Sequence, residues 1–191
     1  SSRVVVIEDC NYRLPWHSPQ DVPDYEANRQ RLIANFERFG VTDHVRLYPH
    51  ALVESEADKL DALIGTPELS GFLHDAEGRI DREFALYWPR TVEGGRIIID
   101  DYEEFADRER ADKPWPGGAK RHKICALLNQ FMDWGLIEVE AVHERTVIGR
   151  KPVGADFSRF DPQRCAELVA EAEARHEAGK ATQKRRSIPG V

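Results

Sequence analysis

The chain has 191 residues, of which 41% are hydrophobic and 32% are charged, and its formal net charge is −7. These values are typical of a globular protein long enough for one well-buried domain. The negative charge argues against a general nucleic-acid binder, because such proteins neutralise phosphates with lysine and arginine. No stretch is apolar over the length of a bilayer and no signal-peptide pattern opens the chain, so we expect a cytoplasmic protein with neither a membrane nor a nucleic-acid partner.

The three cysteines, Cys10, Cys125 and Cys165, are far apart and form no CxxC pair. An odd number at this spacing favours reduced thiols in a cytoplasmic compartment over a disulfide framework. A zinc site built on these cysteines is therefore not expected.

Strand and helix patterns alternate along most of the chain. The predicted strands are 3–7, 45–48, 69–73, 97–99, 136–142 and 145–151. The predicted helices cover approximately 24–39, 55–64, 80–88, 119–134 and a segment that starts near Pro162. This order predicts an α/β fold with a mostly parallel sheet, and the last two strands, which have no helix between them, predict one antiparallel strand near the C-terminus.

The composition shifts after Pro152, and this shift suggests a domain organisation. We predict an α/β domain over residues 1–152 and a helical appendage over 153–179, with Asp161 as N-cap and Pro162 at the first helical position. The basic end, residues 180–191, is predicted to be a disordered tail.

Two adjacent carboxylates, Asp100 and Asp101, follow a short isoleucine strand that a Gly94-Gly95 turn precedes. A continuous β-branched run is typical of a strand buried on both faces of a parallel sheet. Ligands of open α/β sheets bind at the carboxyl ends of such strands. Since neighbouring like charges repel, a cation or a ligand rich in hydrogen-bond donors would relieve the repulsion there.

Several short motifs occur together in chain order. They are an acid after the strand at Val4, Arg38-Phe39-Gly40-Val41, His74-Asp75 after a strand, Tyr87-Trp88-Pro89, Gly94-Gly95 and Asp100-Asp101-Tyr102. This set resembles the class I S-adenosylmethionine-dependent methyltransferases and is most similar to the macrocin O-methyltransferase-like enzymes, which methylate sugar hydroxyls on natural products. The resemblance covers roughly residues 3–151 and is most specific over 72–102. It implies a Rossmann-like methyltransferase sheet.

The chain departs from that family at its beginning. The family's first strand and its glycine-rich loop, which wraps the methionine part of the cofactor, come before the strand that starts here at Arg3. No GxGxxG motif stands elsewhere in the sequence. We therefore expect either an N-terminally incomplete sheet, which we favour, or a protein without the usual cofactor site.

The resemblance also implies a cofactor side for the site. Glu8 would accept hydrogen bonds from the two ribose hydroxyls of S-adenosylmethionine, and Asp9 is equally available for this role. For both residues the alternative is a solvated strand end or a cap. His50 and Ala51 would contact the adenosine portion, largely through the backbone.

Asp75, Asp100 and Asp101 form the predicted metal site. Neighbouring parallel strands bring their carboxyl ends close together, and three carboxylates supply the hard oxygen ligands that Mg²⁺ prefers. The resemblance implies the same ligands, with Mg²⁺ or another divalent cation lowering the pKa of a substrate hydroxyl. The alternative is that Asp100 or Asp101 caps a helix or a turn.

His74, beside Asp75, is the candidate general base, and a packed histidine at a strand end is its alternative. We interpret the segment Lys120-Arg121-His122-Lys123 as a solvated first helical turn. Because cations there oppose the helix dipole, an anionic partner is the other reading.

These inferences predict an O-methyltransferase that transfers the methyl group of S-adenosylmethionine to the hydroxyl of a small molecule, with a natural-product sugar as the favoured acceptor. A methyltransferase-like scaffold that binds a partner and catalyses nothing is the alternative. A metal-dependent hydrolase or phosphoryl-transfer enzyme ranks last, because no P-loop lysine motif or nucleophile is recognisable. A homo-oligomer is compatible with all three.

Overall fold

The structure is a computed structural model, and it describes residues 4–7, 25–48, 57–65, 68–75, 78–102 and 119–186. The strands are β1 (Val4–Ile7), β2 (Val45–Tyr48), β3 (Leu69–His74), β4 (Thr91–Ile99), β5 (Glu138–His143) and β6 (Thr146–Arg150). The helices are α1 (Tyr25–Arg38), α2 (Ala57–Ile64), α3 (Ile80–Tyr87), α4 (Ala119–Asp133) and α5 (Pro162–Arg186). The chain divides into two compact units, Ser1–Pro67 and Glu68–Val191. No described helix is both long and apolar enough to cross a membrane.

The N-terminal unit contains a βαβ element. Strands β1 and β2 pair in parallel, with Val4 opposite Val45 and Ile7 opposite Tyr48. Parallel neighbours need a crossover connection, which contains α1 here. The guanidinium of Arg46 donates to the carbonyl of Leu63 at 2.6 Å and so ties β2 to the end of α2.

The C-terminal unit contains a four-stranded sheet in the order β3-β4-β6-β5. Strands β3 and β4 are parallel, whereas β6 runs antiparallel to both β4 and β5. Three strands therefore point one way and β6 points the other. The predictions of an α/β fold with a mostly parallel sheet and one antiparallel strand near the C-terminus are confirmed.

An aromatic core fills the C-terminal unit. The ring of Phe84 in α3 stacks on that of Phe131 in α4 with centroids 4.1 Å apart, and it meets Phe72 of β3 edge-on at 6.0 Å. Helix α5 adds three buried residues, Cys165, Leu168 and Val169, to the same cluster. Residues beyond 152 therefore belong to the core of this unit. Helix α5 also continues to Arg186, past residue 180, where the sequence predicts a disordered tail.

The Gly94-Gly95 pair lies inside β4, and the prediction of a turn before the strand is wrong at this point. The β3–β4 pairing steps from Leu69 opposite Thr91 to Gly71 opposite Arg96, so β4 carries extra residues in between. Gly94 takes up this irregularity with a φ of +72°. The regular pairing that follows runs unbroken to the carboxyl ends of both strands.

Candidate metal centre at the carboxyl ends of β3 and β4

The register of β3 and β4 brings the predicted metal ligands together. His74 lies opposite Ile99 in the last pair of the ladder. The backbone N–H of Asp100 donates to the carbonyl of His74 at 3.0 Å, so the pairing extends one residue past β4. Asp75 and Asp100 are thus the first residues beyond two neighbouring strands, at the same edge of the sheet.

One carboxylate oxygen from each of Asp75, Asp100 and Asp101 lies within 4.8 Å of the other two. Metal–oxygen distances of about 2.0–2.6 Å place two ligands on opposite sides of one cation about 4–5 Å apart. The spacing and the hard donors therefore fit a divalent cation such as Mg²⁺. The Asp75 side chain is the most open of the three, at 57% exposed against 25% for Asp101.

The backbone conformation just after β4 fixes the positions of two carboxylates, Asp100 and Asp101. Asp101 has a φ of +59°, in the left-handed region that aspartate tolerates better than most residues. The next residue, Tyr102, is buried, and its N–H donates to the carbonyl of Arg145 at 2.8 Å. Asp101 is therefore held between a regular strand and an anchored aromatic residue.

Asp100 is fixed by a neighbour in β6. The hydroxyl of Thr146 donates to Oδ1 of Asp100 at 2.7 Å. This bond, assisted by the backbone N–H of Asp101, holds the pKa of Asp100 below its usual value. The bond from Asp101 is a local turn contact, as the turn-capping alternative for Asp100 requires.

Lys120, near the start of α4, contacts two of the three carboxylates. Its Nζ lies 2.6 Å from Oδ2 of Asp101 and 3.3 Å from Oδ1 of Asp75. Burial by itself would lower the pKa of Lys120, but the hydrogen bonds and charges of Asp101 and Asp75 outweigh it and raise the pKa. Arg121 adds a more distant contact, with its Nε 3.9 Å from Oδ1 of Asp101.

The interpretation of residues 120–123 as a solvated turn is therefore wrong for Lys120. It is also wrong for two other residues of the turn, because His122 is buried and Lys123 pairs with Glu173 at 2.7 Å. The sequence carries a signal for the partner of Lys120. A helix that follows a strand in an α/β unit starts near the carboxyl ends of the strands, where Asp75 and Asp101 are found. A lysine that opposes the dipole at such a helix start needs a nearby anion.

His74 is buried, with 4% of its surface exposed. Burial, followed by the charge of Lys120, lowers its pKa to about 4, so the ring is neutral at neutral pH. Its Nδ1 is 4.0 Å from Oε2 of Glu83, which is too long for a hydrogen bond. Within the described residues its Nε2 has no hydrogen-bond partner. These features favour the packed histidine over the general base.

The burial of His74 predicts a pH-dependent stability of the C-terminal unit. A lowered pKa means that the unfolded chain takes up a proton below about pH 6.5, whereas the folded chain resists it until about pH 4. The buried, neutral His74 ring therefore makes its full contribution to stability above pH 6.5. This contribution is lost as the pH falls, and the free energy of unfolding drops by roughly 2 kcal/mol between pH 7 and pH 5. We expect His74→Gln to lose less stability over this interval than the wild type. Urea unfolding at both pH values measures the difference, and equal losses would contradict the assignment.

The other predicted site residues, Glu8, Asp9, His50 and Ala51, lie outside the described residues, as does Cys10. The structure thus brings together the predicted metal ligands and describes nothing of the predicted cofactor side. Cys125 and Cys165 are buried free thiols, as the sequence predicts. Burial raises the pKa of Cys165 to about 12, so this thiol is protonated at neutral pH.

Comparison with known proteins adds no family to this description. No protein-family model matches the chain, and no curated protein matches its sequence.

Proposed function

We propose that this chain belongs to a metal-assisted, S-adenosylmethionine-dependent O-methyltransferase. The observation that carries the proposal is the approach of Asp75, Asp100 and Asp101 to within 4.8 Å of one another at the carboxyl ends of two parallel strands. These are the three residues that the family resemblance assigns to a divalent metal. Their convergence follows from the β3–β4 register and needs no rearrangement of the sheet.

The sheet of the C-terminal unit supports the proposal at the level of fold. The resemblance implies a Rossmann-like methyltransferase sheet, and the order of the predicted elements adds one antiparallel strand near the C-terminus. Strand β6 is such a strand, and it contributes Thr146, which holds Asp100. The reversed strand and the metal cluster are therefore linked by a direct side-chain contact.

In the proposed reaction a substrate hydroxyl oxygen attacks the methyl carbon of S-adenosylmethionine, the carbon–sulfur bond breaks, and the hydroxyl proton is released. A bound divalent cation would supply the Lewis acidity that lowers the pKa of that hydroxyl. The part of the chain is to hold the carboxylates in place: Asp100 through Thr146, and Asp101 through the anchored Tyr102. The exposure of Asp75 leaves an open side from which a small acceptor can approach.

The acceptor class rests on the resemblance alone. It is a hydroxyl of a small molecule, with the sugar of a natural product as the favoured substrate. The burial of His74 leaves its ring poorly placed to take the hydroxyl proton, so we assign the proton to solvent or to another base.

One observation favours the second candidate function, a methyltransferase-like scaffold without catalysis. Lys120 already neutralises part of the charge on Asp75 and Asp101, and a cluster satisfied in this way is stable without a metal. In this reading the cluster is a structural ion-pair network that joins α4 to the two strand ends.

Two binding measurements and one activity assay separate the candidates. Calorimetry with S-adenosylmethionine and with Mn²⁺ should give saturable binding of each, and methyl transfer to hydroxylated glycosides should stop in EDTA and return with Mg²⁺. Absence of binding of both ligands would favour the scaffold. Transfer that persists in EDTA and in Asp100→Asn would retain the methyltransferase and remove its metal.

A further inference from the structure

We propose that Lys120 is the resident cation of the carboxylate cluster: it bridges Asp75 and Asp101 in the metal-free protein and must leave them when a divalent cation binds. This inference rests on the proposed metal site and concerns the regulation of that site. The direct contacts of the Lys120 ammonium, 2.6 Å to Asp101 and 3.3 Å to Asp75, carry it.

The two carboxylates that Lys120 joins belong to different strand ends. Asp75 directly follows β3 and Asp101 is the second residue after β4, so the ammonium spans the same gap that a shared metal ion would span. Asp100, by contrast, receives its hydrogen bond from Thr146. Lys120 therefore contacts two of the three candidate ligands directly and reaches Asp100 only through its charge, while the hydrogen bond to Asp100 comes from β6.

The backbone of Lys120 is held in position while its side chain retains room to move. A Cβ added at Gly78 would lie 3.0 Å from the carbonyl oxygen of Lys120 and 3.2 Å from its Cα, so the start of α4 packs closely on the backbone at residue 78. The Lys120 side chain is 29% exposed. Because the Lys120 side chain is a flexible four-carbon chain on a fixed backbone, its ammonium can move into solvent while the helix stays in place.

The ammonium and a divalent cation cannot both occupy the space between Asp75 and Asp101. A cation bound to oxygens of both residues would lie within a few ångströms of the present Nζ position, where like charges repel strongly. Charge also favours replacement of the Lys120 ammonium by a divalent cation. The three carboxylates together carry −3, of which Lys120 offsets one charge and a divalent cation offsets two. The two cations therefore compete for the same carboxylates.

Lys120 thereby has two opposing effects on the metal. It keeps mutually repelling carboxylates together, which preserves the geometry of the site, and it lowers metal affinity because its contacts must be broken first. The second effect dominates at this site, because the β3–β4 register already fixes Asp75 relative to Asp100, and the anchored Tyr102 fixes Asp101. Lys120 thus sets the cation concentration at which the site fills.

Titration of the full chain with Mn²⁺, followed by calorimetry and by electron paramagnetic resonance, tests this competition in the variant Lys120→Met. Loss of two partly exposed contacts should tighten Mn²⁺ binding by about 3- to 30-fold. Lys123→Gln is the matched control: it removes the same charge from the same helix, at a lysine whose partner is Glu173, and it should stay within about twofold of the wild type. Lys120→Arg, which keeps the charge, should also bind like the wild type.

Weaker or unchanged Mn²⁺ binding by Lys120→Met overturns the inference and leaves the metal site intact. Equal tightening by Lys120→Met and Lys123→Gln also overturns it, since the effect would then reflect net charge alone. Failure of the wild type and both neutral variants to bind Mn²⁺ overturns the metal site itself and this inference with it. Circular dichroism of each variant confirms that the fold is retained.

Discussion

Replacing Asp100 with asparagine is expected to lower the affinity of the chain for Mn²⁺ or Mg²⁺ by about 100-fold or more. The change removes one of three anionic ligands while keeping the size of the side chain, and charge count is a main determinant of divalent-cation affinity. The loss should exceed the 10- to 100-fold typical of residues that merely support a ligand. Methyl transfer should fall in parallel at a fixed Mg²⁺ concentration.

The fold should survive this substitution. Asparagine retains an oxygen that can accept the hydrogen bond from Thr146, so the contact between β4 and β6 remains. Asp133→Asn, at the exposed end of α4, is the control for a lost negative charge and should leave Mn²⁺ affinity within about twofold. An Asp100→Asn protein that binds Mn²⁺ as tightly as the wild type would show that Asp100 is not a ligand.

Phe84→Ala is expected to lower the free energy of unfolding of the C-terminal unit by about 3–5 kcal/mol. Phe84 is 1% exposed, and it lies between Phe72 of β3 and Phe131 of α4. Removing its ring leaves a cavity among aromatic neighbours that the surrounding helices and sheet can fill only in part. This is the largest effect on stability that we expect from a single side chain outside the carboxylate cluster.

The same substitution tests how the core supports the site. Phe84 packs between β3 and α4. Strand β3 ends beside Asp75, and α4 carries Lys120. Urea unfolding followed by circular dichroism measures the loss, and Val153→Ala, at an 80% exposed position, should change stability by less than about 0.5 kcal/mol. A loss below about 1 kcal/mol for Phe84→Ala would mean that the aromatic cluster contributes little to the unit.

Local patterns in the sequence predict much of the C-terminal unit. The apolar run at Ile97–Ile99 and the helical spacing of Ile80, Phe84 and Tyr87 identify β4 and α3 because burial imposes a period on each element. The meeting of Asp75 with Asp100 and Asp101 is predictable for a related reason, since residues just past parallel strands share one sheet edge.

Features that depend on tertiary packing are not predicted. The Gly94-Gly95 pair has the composition of a turn, and only the pairing of β4 with β3 shows that it is an irregularity within a strand. The cationic first turn of α4 indicates that an anion lies near Lys120, but the partners Asp75 and Asp101 are 45 and 19 positions away in sequence, and only the tertiary structure identifies them. The composition shift after Pro152 suggests an appendage, yet Cys165, Leu168 and Val169 of helix α5 complete the core.

The measurement that tests the central claim most directly is a crystal structure of the full chain grown with Mn²⁺, with anomalous data collected near the manganese edge. The proposal predicts an anomalous peak bound by oxygens of Asp75, Asp100 and Asp101, with the Lys120 ammonium turned away from Asp101. A crystal in which Lys120 still bridges Asp75 and Asp101 at saturating Mn²⁺, with no peak between the carboxylates, would contradict it.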